Sequence, residues 1–291
     1  MQTMAIALDI DGTLYDGVEV APEAVAALKA AKAAGHRLLI VSGRRWEQIP
    51  AIVPIIDLFE RVVGEEGGVL VNVATGEMTL LGEPIEPELV RGLQAAGVPF
   101  LDVGHVVVGT PAAWIDTVTE VRDRLGSTLA MVRNKSSVAL APPECNKGTG
   151  LRAALQDLGI EGIPVLAVGD AENDLAMFRV ATIAVGVANA DAAVMASGIP
   201  ITEGRAGRGV AEALRTYLPR ADDAPATDNA AGALPASALA EGDLPVGHVS
   251  APDLATAELS ASDQATADLP APDLGTVDLA VADLSASGAV G

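Results

Sequence analysis

Two carboxylates stand two residues apart in Asp9-Ile10-Asp11-Gly12-Thr13, directly after the apolar run Met4–Leu8. Side chains at that spacing point to the same side of an extended strand, so both acids can face one cleft. A second acidic group, Gly169-Asp170-Ala171-Glu172-Asn173-Asp174, follows the apolar run Val165–Val168. Four unpaired carboxylates gathered at two strand ends repel one another. A hard cation such as Mg2+ removes the conflict, because it takes oxygen ligands and keeps positions open for water and phosphate.

These residue types suit phosphoryl transfer. Asp9 can attack phosphorus and form an aspartyl-phosphate, which splits one hard displacement into two easier ones. Asp11 can protonate the leaving oxygen and later take a proton from water. Gly12 permits a tight exit from the strand, and the turn through Thr13 offers backbone N–H groups to phosphate oxygens. Ser42, with Gly43 after it, ends another apolar run and supplies a hydroxyl donor. Lys147 begins a predicted helix, where its ammonium and the helix N-terminus both favour anionic oxygens. Asp170 and Asp174 are the expected metal ligands, and Asn173 can bridge to phosphate or orient Asp9. Each motif alone also has a structural reading, since paired acids hold turns and a serine such as Ser42 caps them. The order and topology of all four together favour the chemistry.

The elements that must position these residues form an α/β rhythm. Strands are expected at Ile6–Ile10, Arg37–Val41 and Phe59–Val63, with helices at Pro22–Ala34 and about Arg45–Ile52. A hairpin follows, from Val69–Val71 through Thr75-Gly76 to Glu77–Leu81. The rhythm then changes to helix Glu86–Ala96, strand Phe100–Val108, helix Ala112–Leu125, and strands Leu129–Val132 and Val138–Ala141. Pro-containing crossings at Gly82-Glu83-Pro84 and Pro142-Pro143 bound this α+β insert. The sheet pattern resumes with helix Lys147–Leu158, strand Pro164–Val168, helix Leu175–Val180 and strand Thr182–Val187. It closes with a helical turn Asp191–Ala196, an edge strand Ile199–Thr202 and a helix Val210–Tyr217. The expected domains are a core of residues 1–82 and 144–220, a cap of 83–143, and a tail of 221–291.

Charge separates the tail from the rest. Of the formal net charge of −21, more than half falls in residues 221–291, which hold 12 Asp and Glu and no Lys or Arg. Without a basic footprint, nucleic acid and anionic membrane are disfavoured as partners. From Leu234 to Leu284 a mostly Leu position recurs every five residues, resembling a pentapeptide repeat, and the prolines between argue instead for disorder. A single cysteine, Cys145, excludes an intramolecular disulfide. The N-terminus has no basic head and reads as a first strand, and no run suits a membrane span, so a cytoplasmic protein is expected. Its state as monomer or homodimer stays open.

The four motifs resemble those of the haloacid-dehalogenase-like phosphohydrolases, over about residues 4–218. The resemblance is to the members with a C2-type cap: Cof-type sugar phosphatases, sucrose-phosphate-phosphatase-like enzymes and archaeal phosphoglycolate phosphatases. It implies a Rossmann-like parallel-sheet core with an inserted cap, Asp9 as nucleophile and Asp11 as acid and base. It also implies Ser42 and Lys147 on phosphate, and Asp170 and Asp174 on magnesium, with Asp9 and the Asp11 carbonyl completing the shell. The implied activity is Mg2+-dependent hydrolysis of a small phosphorylated metabolite, phosphoglycolate or a sugar phosphate. A phosphotransferase or mutase, or an inactive core with a binding role in the tail, are the alternatives. Where the family usually has Asn-Gly-Ala after the third strand, Glu66-Gly67-Gly68 stands here, and Val187–Ala190 resembles the loop closing the far side of the site.

Other residues read more plainly. Arg44 could reach phosphate, and Arg45 caps toward solvent. Trp46 and Trp114 pack, His105 is a surface or core histidine, and Cys145 is structural. The polar turn Arg133-Asn134-Lys135 could select an anionic substrate.

Overall fold

A computed structural model describes residues 2–218, so the five-residue period of the tail lies outside the described residues. Eleven strands build two sheets. The larger contains β1 (Ala5–Leu8), β2 (Arg37–Val41), β3 (Arg61–Gly64), β4 (Val69–Asn72), β5 (Met78–Leu80), β10 (Val165–Gly169) and β11 (Ile183–Gly186). Its order is β11-β10-β1-β2-β3-β4-β5, with the hairpin β4–β5 added antiparallel to a parallel set.

The continuous apolar runs of β1 and β10 bury every residue, as strands covered on both faces require. Alternation assigns the faces. Ile6, Leu8, Leu38, Ile40, Leu166 and Val168 pack toward helices α1 (Pro22–Ala33) and α8 (Ala206–Tyr217). Ala5, Ala7, Leu39, Val41, Val165 and Ala167 pack toward α5 (Lys147–Asp157) and α6 (Leu175–Phe178). Each fully buried Leu or Ile there contributes about 1.5–3 kcal/mol. The short helices α2 (Ile49–Ile52) and α7 (Ala192–Ala196) complete the core's set. Parallel strands in one sheet carry their ligand-facing loops at one edge, the carboxyl ends. Asp9, Ser42 and Asp170 directly follow β1, β2 and β10, at those ends.

The second sheet, in the order β6-β7-β9-β8, joins β6 (Asp102–Val103), β7 (Val108–Pro111), β8 (Ala130–Asn134) and β9 (Ser137–Ala141), all antiparallel. Helices α3 (Pro87–Ala95) and α4 (Ile115–Leu125) cover it through Leu89, Leu93, Val118 and Val121 against Val108 and Leu140.

Two expected strands differ. Phe100–Val108 is a hairpin, β6 and β7 pairing Asp102 with Gly109 and Val103 with Val108. The chain reverses because Gly104 donates to Val107 O at 2.8 Å and a core carboxylate, Glu65, takes the Val106 N–H at 2.9 Å. Phe100 lies outside the strand, left-handed at φ 53° and 84% exposed. Ile199–Thr202 reduces to a single bridge between Gly186 and Ile201, where Pro200 lacks a ladder donor. The Arg45–Ile52 helix begins as a 3₁₀ turn, Trp46–Gln48. Among the described residues no helix is long and apolar enough to cross a membrane.

Candidate active site

Three acids meet beneath the carboxyl ends of β1 and β10. One carboxylate oxygen from each of Asp9, Asp170 and Asp174 lies within 4.8 Å of the others, and all three residues are buried. Local backbone fixes two of them. Asp174 Oδ2 accepts the N–H groups of Asp170 (2.8 Å) and Ala171 (3.0 Å), which turns the chain so that Asp174 faces back into the site. Gly12, at φ 81°, passes so close to Asp170 that a β-carbon there would sit 2.1 Å from Oδ2.

Lys147 enters from the first turn of α5. Asn146 caps that helix, its Oδ1 accepting from Gly148 (2.9 Å) and Thr149 (3.0 Å), a cap worth about 1 kcal/mol. The Lys147 ammonium is buried between Asp9 Oδ1 at 2.7 Å and Asp174 Oδ1 at 2.6 Å. Burial alone lowers a lysine, yet the charges of Asp174, Asp9 and Glu66 outweigh it and raise Lys147. Burial and the neighbouring Asp174 push Asp9 well above the usual carboxylate range, with Lys147 pulling the other way. Asp170 is also raised by burial, against the lowering effect of Lys135.

The set fits a hard divalent cation on two counts. Its donors are three carboxylate oxygens from the loops after β1 and β10, and Asp170 Oδ1 is buried with no hydrogen-bond partner. The Asp11 carboxylate stands apart from this cluster. Both its oxygens bind Arg44, at 2.6 Å each, so Arg44 is engaged with an acid.

Ser42 is buried just beyond β2, and its hydroxyl accepts the Arg44 N–H at 3.2 Å. Thr13 is buried with its hydroxyl unpartnered. Asn173 gives its amide to both oxygens of Glu66 at 3.1 Å, which leaves Oδ1 as its buried, unpaired atom. Arg45, expected toward solvent, instead reaches Asp102 in the second sheet at 2.6 Å.

A cavity of about 590 Å³ opens above the cluster. Asp9, Asp11, Gly12 and Gly43 form part of its core wall, while Gly109, Lys135, Ser137 and Ala139 line it from the second sheet. Four further residues contribute, of which Glu66, Asn189 and Lys135 lie in segments the sequence already marked and Glu65 does not. Glu65 and Glu66 are buried and left-handed at φ 51° and 56°, and Glu65 accepts Val106 N while lying 3.0 Å from His105 Nδ1. The departure from Asn-Gly-Ala at 66–68 marked Glu66, and Glu65 carried no sequence signal. Asn189 donates to Gly12 O at 2.7 Å and Asp170 Oδ2 at 3.2 Å, strapping the two acidic loops together. Lys135, from the β8–β9 turn, pairs with Asp170 Oδ2.

A family model described as haloacid dehalogenase-like hydrolase matches residues 6–96 and 100–214. The chain belongs to that family. This hydrolase carries the C2-type cap and is related to phosphoglycolate phosphatases, and its fold and aspartate cluster support phosphatase activity. A phosphoglycolate phosphatase of Methanothermobacter thermautotrophicus is 34% identical over 227 residues, covering 74% of this chain and 98% of that protein. One from Haloarcula marismortui is 30% identical over 230 residues, with 74% and 97% covered. Among solved structures, a haloacid dehalogenase-like hydrolase from Bacteroides thetaiotaomicron has a TM-score of 0.63 at 22% identity, covering 75% of this hydrolase and all of that chain. A sucrose-phosphatase from Synechocystis, in complex with sucrose and phosphate, has a TM-score of 0.54 at 17% identity, covering 74% and 98%. At these identities the two structures speak for the shared fold.

Proposed function

We propose that this hydrolase is a Mg2+-dependent phosphomonoesterase for a small phosphorylated metabolite, phosphoglycolate or a sugar phosphate, with residues 83–143 acting as the cap. The observation that carries the reading is the placement of Asp9, on the cavity wall, hydrogen-bonded to Lys147 and within the three-acid cluster. The phosphoglycolate phosphatases that match nearly end to end support the substrate class.

An Asp9 oxygen bonds to phosphorus as the ester P–O bond breaks, and Asp11 gives the leaving oxygen its proton. Asp11 serves in this way once its carboxyl leaves Arg44. It then takes a proton from the water that attacks phosphorus, and the Asp9 carboxylate is released. Lys147, Ser42 and the backbone of Thr13 and Gly43 hold the phosphoryl oxygens, and Asn173, fixed by Glu66, orients the acidic loop. Asp9, Asp170 and Asp174, with the Asp11 carbonyl, would hold the magnesium, which when bound masks phosphate charge so that an anionic nucleophile can approach.

Phosphate release across a panel of phosphorylated metabolites, with magnesium and with a chelator, tests the reading. Hydrolysis of short phosphoesters that stops on chelation is expected. Equal release in chelator would overturn the metal requirement, and no release from any ester would overturn the phosphatase.

A further inference from the structure

We infer that Lys135 is the specificity-determining residue of this site, and that it selects a substrate carrying a carboxylate beside its phosphate ester. The inference rests on the phosphomonoesterase reading, chooses between its two substrate classes and assigns the residue that makes the choice. Lys135 sits left-handed, at φ 43°, in the turn between β8 and β9. That turn is tied down, since Ser137 Oγ donates to Asn134 O at 3.1 Å and Ala112 N to Ser136 O at 2.8 Å. From this rigid base the ammonium crosses the cavity to Asp170 Oδ2, where a β-carbon on Gly12 would lie 3.3 Å from Nζ.

Three cationic side chains line the cavity, and they differ in their partners. Arg44 is bidentate on Asp11, and Arg45 is on Asp102, which Gln48 also holds at 2.9 Å. Neither partner belongs to the three-acid cluster. Lys135 alone of the three is paired to a cluster acid. A divalent ion on the unpartnered Oδ1 of Asp170 brings a like charge to short range of the Lys135 ammonium on Oδ2 and weakens that pairing. Apart from Asp11, whose carboxyl turns to the ester oxygen in turnover, the other acids on the cavity wall are committed, Asp102 to Arg45 and Glu66 to Asn173. An ammonium so loosened at the cavity wall favours an anion from the substrate. With the phosphoryl group held at Asp9, a carboxylate one carbon away is the matching group.

The test compares wild type with Lys135→Gln, which removes the charge but keeps a polar end, and Lys135→Arg, which keeps the charge. Two esters of similar size serve as probes, 2-phosphoglycolate and the neutral-tailed 2-hydroxyethyl phosphate. Lys135→Gln is expected to lose about tenfold or more in kcat/KM on the carboxylate ester relative to its loss on the other, with Lys135→Arg recovering part of the difference. Equal loss on both esters would overturn the inference, because Lys135 would then serve the phosphoryl group or the cap alone. Calorimetric titration with Mg2+ alone gives a second readout that needs no turnover. Tighter binding by Lys135→Gln supports the competition at Asp170, and unchanged or weaker binding overturns it. Failure of wild type to hydrolyse 2-phosphoglycolate, with release from other esters of the panel, would overturn the carboxylate selection, whereas no release from any ester would sink the phosphatase reading instead.

Discussion

Lys147 Nζ lies 2.7 Å from Asp9 Oδ1, a buried ion pair between residues 138 positions apart in the chain. The same ammonium holds Asp174, so one charge bridges two acids carried by the loops after two different strands. Removing it leaves buried carboxylates without a counter-charge. Lys147→Met is therefore expected to cost about 3 kcal/mol of stability in chelator. Magnesium supplies positive charge to the same acids, so its addition should raise the melting temperature of Lys147→Met more than that of wild type. Thermal unfolding with and without magnesium checks this, and an equal rise in both proteins would contradict it.

Asp9→Asn replaces the attacking oxygen by an amide of the same shape. Because burial and Asp174 already favour the uncharged form of Asp9, the fold should persist. Turnover should fall by about a thousandfold or more. Purified Asp9→Asn that hydrolyses at the wild-type rate would remove Asp9 from the chemistry.

Glu65 ties the core loop after β3 to the β6–β7 turn through Val106 N. Glu65→Ala leaves that buried N–H without an acceptor, at a cost of about 1–3 kcal/mol. Glu65→Gln keeps one acceptor oxygen and should cost less. Denaturant midpoints and hydrogen exchange at the Val106 amide measure both effects. Unchanged exchange in Glu65→Ala would show that the contact holds nothing in place.

His36 is buried, and its Nδ1 accepts the Met4 N–H at 3.1 Å, so the neutral ring suits the fold. Burial lowers its pKa from the ordinary 6.5. The unfolded chain therefore takes up the proton first, and stability falls as pH drops below about 6.5. His36→Gln, with an amide oxygen able to accept from Met4, should lose less stability than wild type between about pH 7.5 and about pH 5.5. Equal losses in unfolding experiments would show that His36 does not carry this pH dependence.

Much of the core was readable because its signals are local. A buried parallel strand must be apolar throughout, which marked β1, β2 and β10 and with them the positions of Asp9, Ser42 and Asp170. The Phe100–Val108 segment misled for the same reason. Its apolar character suits one strand, and the reversal depends on Glu65, a residue some forty positions away in the chain.

Residue order by itself determined the α/β alternation, the inserted α+β unit and the identity of the acids, since periodicity and strand-end chemistry are written along the chain. Only the tertiary structure decided who neutralises whom. Arg44 goes to Asp11, Arg45 to Asp102, Asn173 to Glu66 and Lys135 to Asp170. A side chain's charge is a property of its type, but its partner is set by which loops the folded sheets bring within about 3 Å, the range over which charge-assisted hydrogen bonds form.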